Sequence, residues 1–80
     1  MKGYKPMKSI YIITEGTEVL TARDTMNNAI AAAMNRITIC GYLCEGFVYG
    51  DTVTAIYYRN PNTNEVNFMY IEVTTFKEGV

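Results

Sequence analysis

The apolar positions of this chain follow a helical period in one stretch and alternate like strand almost everywhere else. Between Asp24 and Thr38, Met26, Ile30, Met34 and Ile37 recur at helical spacing, with Ala29 and Ala33 on the same stripe. Thr21 or Asp24 can cap the free N–H groups at the start, where the helix dipole also favours the Asp24 carboxylate. Arg36 suits the opposite end and Gly41 supplies a stop. The spacing predicts one helix over Asp24–Thr38.

Ser9–Thr14 is β-branched and aromatic, Glu15-Gly16-Thr17-Glu18 reads as a turn, and Val19–Thr21 returns as a second strand. Cys40–Gly50 reads as a strand punctuated by glycines. Gly46 marks a bulge or a close backbone approach, and Gly50-Asp51 a two-residue hairpin turn. Thr52–Arg59 and Glu65–Thr75 form a long hairpin joined by Asn60-Pro61-Asn62-Thr63-Asn64. The order is ββαβββ. Short connections favour antiparallel neighbours, so the expected fold is α+β, an antiparallel sheet of four or five strands with one helix packed on one face. Residues 1–7 read as a flexible leader and residues 8–80 as a single domain.

One helix covers one side of a sheet, and the other side should then alternate to polar residues. Here it does not. Thr52, Thr54, Ile56 and Tyr58 share one side of their strand, with Val53, Ala55 and Tyr57 on the other. Val66, Phe68 and Tyr70 oppose Asn67, Met69, Ile71 and Val73, and Ile10 and Ile12 oppose Tyr11 and Ile13. Whichever side meets the helix, apolar residues remain on its opposite.

Seven tyrosines and no tryptophan sharpen the point, because six of the seven tyrosines fall in predicted strands and tyrosine is enriched at interface cores. Tyr11, Tyr49, Tyr57, Tyr58, Phe68 and Tyr70 are therefore interface candidates. From Thr25 to Asn35 the helix carries no charge, and its outer side presents Asn27, Asn28, Ala31, Ala32 and Asn35. A neutral, small-residue surface permits close approach by another subunit, which adds Asn28, Ala31 and Asn35 to the interface candidates.

Composition narrows the classes of function. Hydrophobic residues make up 49% of the chain and charged residues 19%, a balance that suits a small domain which oligomerises. The net charge of −1 lacks the basic excess of a nucleic-acid binder. No run of eighteen apolar residues crosses a membrane and no signal-peptide core is present, so the expected location is the cytoplasm, a host's if the gene is viral.

Chemistry finds little to work with. There is no histidine, which removes the commonest general base and metal ligand. If Cys40 and Cys44 lie on one extended strand they stand about 13 Å apart, beyond disulfide reach; small buried hydrophobes are the better account. No metal site and no cofactor motif emerges. Glu15 and Glu18 flank a turn, where a solvated role is the plain reading. Arg59 at the mouth of the Asn-rich loop, with Asn62 and Asn64, forms the most plausible anion site, since a guanidinium grips phosphate or carboxylate in a fork, while Lys2, Lys5 and Lys8 offer only weak attraction to phosphate or an acidic partner.

Lys8-Ser9-Ile10-Tyr11-Ile12-Ile13-Thr14-Glu15, together with the order of elements, resembles small phage-encoded anti-CRISPR inhibitors, which place one helix on an antiparallel sheet. The resemblance implies a compact protein that acts by sticking to a larger machine. It carries over no residue roles, because the polar and basic surface some of those inhibitors use has no counterpart here. The expected function is a non-enzymatic, homo-oligomeric protein-interaction module, more narrowly a phage or mobile-element inhibitor of a host defence complex that acts by occlusion. The alternative is an oligomer that binds or sequesters a small nucleotide-like anion.

Overall fold

A computed structural model describes the backbone of residues 7–77 and the side chains of residues 8–75. The order of elements is β1 (Met7–Glu15), β2 (Glu18–Arg23), α1 (Met26–Ile39), β3 (Leu43–Val48), β4 (Val53–Arg59) and β5 (Val66–Lys77). All five strands join one antiparallel sheet in the order β2-β1-β5-β4-β3. The helix therefore connects the two outermost strands and crosses one face of the sheet on its way. This is the α+β fold expected, with five strands and one helix among the described residues.

Several boundaries move. Thr25, not Thr21 or Asp24, caps the helix: its Oγ1 accepts from the Asn28 N–H at 3.1 Å, so the first turn begins at Met26. The helix runs on through Ile39 with Cys40 as its C-cap, and Gly41 follows at φ +80°, the left-handed conformation that ends helices. β3 begins only at Leu43, so Cys40 and Cys44 do not share an extended strand. Cys40 is exposed, contrary to the small buried role expected of it. The β3–β4 connection spans residues 49–52 rather than two, because Tyr49 has left the sheet. Residues 1–6 of the expected leader lie outside the described residues, and Met7 belongs to β1, opposite Lys77.

The helix meets the sheet through small side chains. Ala29, Ala33 and Ile37 are buried, while Met26, Ile30 and Ala32 flank them half-buried. The sheet answers with Ile13 from β1, Met69 and Ile71 from β5, and Thr54, Ile56 and Tyr58 from β4. Two irregularities shape the edges. Between Ile13 and Thr14 the β1–β2 register slips, leaving Leu20 as the extra residue, and Leu20 packs against the core. Between Cys44 and Gly46 the β3–β4 register slips in the same way, as expected at Gly46, with Glu45 as the extra residue. Among the described residues no helix is long and apolar enough to cross a membrane.

Candidate functional site

The strand alternation that points Thr54, Ile56 and Tyr58 at the helix turns Val53, Ala55, Tyr57 and Arg59 to the opposite face. The β4–β5 register sets Tyr57 beside Phe68, Ala55 beside Tyr70, Val53 beside Glu72 and Arg59 beside Val66. From β5 to β1, Tyr70 lies beside Thr14 and Glu72 beside Ile12. The helix-free face is thus lined by aliphatic and aromatic residues from every strand. Val48 is 59% exposed, Val66 48%, Phe68 45% and Tyr70 40%.

The rings on this face form a row. Phe68 and Tyr70 lie nearly parallel, with centroids 6.2 Å apart and planes 13° from each other. Tyr57 tilts against Phe68 at 5.9 Å and leans across the strand to cover Gly46. A Cβ on Gly46 would stand 2.6 Å from the Tyr57 hydroxyl, so the glycine makes room for the ring. That is the close approach for which a strand glycine suits.

Among the described residues the strand register puts Lys8, Glu72 and Arg59 on this face. Glu72 lies between Ile12 and Val53 in the neighbouring strands. Arg59 stands at the far end, its Nη2 3.3 Å from the Glu45 carboxylate and its Nη1 donating to Asn64 Oδ1 at 3.2 Å. The Asn-rich loop is held by its own polar groups. Asn60 Oδ1 accepts from the Asn62 N–H at 2.9 Å, and Asn64 takes φ +62°. Of the expected anion site, Arg59 and Asn64 do come together. Asn62 instead serves the turn through its backbone, and the Glu45 carboxylate already occupies the guanidinium.

The interface candidates separate by face. Tyr57, Phe68 and Tyr70 share the helix-free face. Tyr49 is exposed in the β3–β4 connection and stacks at 5.7 Å on Phe47, which packs against the core on the helix side, so it does not join that row. Tyr11 lies on the helix side, half-buried against the core. Tyr58 is 2% exposed, so it offers a partner no surface, contrary to its expected role. Ala31 and Asn35 stand exposed on the outer side of the helix, while Asn28 bonds to Asp24 and Thr25 within the first turn. Tyr42 and Tyr49 fall outside the strands, so fewer tyrosines sit in the sheet than the pattern predicts.

Sequence reasoning missed one polar cluster. Glu15 is not a solvated turn residue: it accepts a hydrogen bond from the Tyr58 hydroxyl and lies 3.5 Å from Arg36 Nη2. Tyr42 stacks on Tyr58 with centroids 5.2 Å apart. Burial pushes the Tyr58 hydroxyl pKa well upward, and the Glu15 carboxylate, as acceptor and as charge, pushes it the same way. A cleft of about 520 Å3 opens beside this cluster, between Glu15, Glu18, Asn67 and Tyr70. A smaller one, about 310 Å3, lies between β2 and the helix at Leu20, Thr21, Ala32 and Arg36. The cluster linked residues 43 positions apart, which no local pattern could signal. Among the described residues no three carboxylates or thiols gather as a metal site. Comparison with protein-family models, curated proteins and solved structures finds no match.

Proposed function

We propose that the protein is a non-catalytic, homo-oligomeric protein-interaction module whose working surface is the helix-free face of its sheet. The observation that carries this reading is the row Val66, Phe68 and Tyr70, each at least 40% exposed on a face with few charges. Soluble monomers seldom present a contiguous apolar patch beyond a few hundred Å2, and aromatic residues concentrate where interfaces gain their energy. Two further observations support it. The displaced titration of Tyr58 moves away from neutrality, the wrong direction for a working acid or base at that pH. And a nucleotide-like anion at Arg59 would have to compete with the Glu45 carboxylate.

The narrower role is occlusion of a surface on a larger complex in the cytoplasm by what the assembled oligomer leaves outward, as the resemblance to phage-encoded inhibitors implies, with a host defence complex as the target. Light scattering on a sizing column tests the oligomer. The wild type is expected above its monomer mass of 9.0 kDa, and Phe68→Glu at 9.0 kDa with unchanged far-UV dichroism. A wild type that stays at monomer mass at every concentration ends this reading.

A further inference from the structure

The helix-free face complements itself. We infer that its occupant is a second copy of this chain, packed sheet to sheet about a two-fold axis that runs across the strands at the level of Met69. The inference rests on the interaction-module reading above and specifies its interface.

An axis lying between the two sheets and perpendicular to the strands lays β5 over the partner's β5 in the opposite direction. Every level of the sheet is then exchanged with the level equally far beyond Met69. Tyr70 meets the level of Phe68 and Phe68 that of Tyr70, so the ring row of one copy packs on the same row of the other. Tyr57 shares the level of Phe68, and Ala55 shares that of Tyr70. The large ring therefore falls over the partner's small residue, and the two copies interdigitate.

The charges decide the register. Glu72 is exchanged with the level of Val66, and Arg59 is the cross-strand neighbour of Val66. Each Glu72 carboxylate thus comes beside an arginine of the other copy, one strand spacing of about 4.8 Å to the side. Arg59 also holds Glu45 and Asn64, so the incoming Glu72 carboxylate shares the guanidinium with Glu45. Moving the axis one residue along the strand, to the level of Tyr70, would put Glu72 over the level of Phe68 and Tyr57 and leave it unpaired, a costly outcome on closing the interface. Glu72 on one side of the central ring row and Arg59, with its partner Glu45, on the other give a two-fold contact between identical surfaces a complementary pair at each end.

The area fits one such partner. Five strands about 4.8 Å apart and about seven residues long at about 3.3 Å each make a face of roughly 550 Å2 in plan. With the relief of the protruding rings added, this approaches the roughly 800 Å2 per partner of a standard interface. An identical face matches that area throughout.

Complementation by mixing tests the geometry. Glu72→Arg alone sets arginine against arginine across the interface, and Arg59→Glu alone sets glutamate against glutamate. Each variant, folded by far-UV dichroism, is expected to dimerise at least tenfold more weakly than the wild type. An equimolar mixture of the two satisfies both contacts and is expected to recover the wild-type constant to within about threefold. A wild type that dimerises while the single variants match it, or while the mixture fails to recover, overturns the inference and leaves the oligomeric reading standing. A wild type that never dimerises sinks that reading itself. Should a variant fail to fold, isotope-filtered NOEs on a mixed labelled and unlabelled wild-type sample decide the matter. Contacts from Tyr70 of one copy to Phe68 of the other uphold the packing, and a dimer without them refutes it.

Discussion

The Tyr58 hydroxyl donates to the Glu15 carboxylate across the intervening strand: Tyr58 is on β4, Glu15 ends β1, and β5 runs between them. The bond spans the helix side of the sheet and ties together strands that are not hydrogen-bonded to each other. Arg36 approaches the same carboxylate from the helix at 3.5 Å, so one acidic side chain joins three elements.

Tyr58→Phe keeps the ring, its burial and its stack on Tyr42 while removing the donor. The half-buried Glu15 then loses its hydrogen bond and retains Arg36, so the expected loss of stability is about 1–3 kcal/mol. Urea unfolding at neutral pH and fixed protein concentration measures it. A midpoint equal to the wild type's would mean that the contact contributes nothing.

The same hydroxyl makes stability depend on alkaline pH. Its ordinary value is 10.0, and in the folded chain burial and the Glu15 carboxylate raise it. A raised folded value stabilises fully below pH 10 and is lost as pH rises from there towards the folded value, because the unfolded state gives up the proton first. The wild type should therefore lose stability more steeply than Tyr58→Phe as pH rises above 10. Parallel curves for the two proteins would remove Tyr58 as the cause.

Ala33 sets the distance between helix and sheet. It is 1% exposed, so Ala33→Leu must force three heavy atoms into a filled seam, at a cost of about 1–3 kcal/mol or more. Ala31 points outward on the same helix, and Ala31→Leu should change monomer stability by less than about 0.5 kcal/mol. Denaturation of the pair side by side checks both. Equal effects at the two sites would contradict the placement of the helix.

Gly46→Ala is directed at Tyr57. The added Cβ would stand 2.6 Å from the hydroxyl and 2.8 Å from Cζ, so the flexible end of the ring must swing away. The chain gains from losing a glycine in its unfolded state, which offsets part of that strain. The variant should fold with a net change within about 1 kcal/mol, yet shift the ring resonances of Tyr57 and Phe68. Unmoved ring resonances would show that the two residues do not touch.

The helix and its stripe were legible because a 3.6-residue period is a local property, carried here by Met26, Ile30 and Ile37 around Ala29 and Ala33. The apolar second face was legible for the same reason, since a period of two assigns Phe68 and Tyr70 to one side and Met69 to the other. Which tyrosines were hidden was not legible. Tyr57 and Tyr58 are consecutive and chemically identical, and only the position of the helix makes one a surface ring and the other a core residue. The cap at Thr25 was overlooked because Asp24 beside it satisfies the same composition rule, and only backbone geometry distinguishes them. The Glu15 cluster required the strand order, with β5 inserted between β1 and β4, which pairing over long sequence separation decides.

That insertion governs when the molecule can assemble. The hairpin β1–β2 and the pair β3–β4 are each local, but the strand that joins them follows both of them in the chain. Until residues 66–77 emerge, the two halves have no common sheet, and the helix has only part of a surface on which to settle. The sheet therefore closes only once β5 is available, at the slower pace of long-range pairing. A chain halted before Val66 exposes both halves of its core at once, making it a ready substrate for chaperones and proteases.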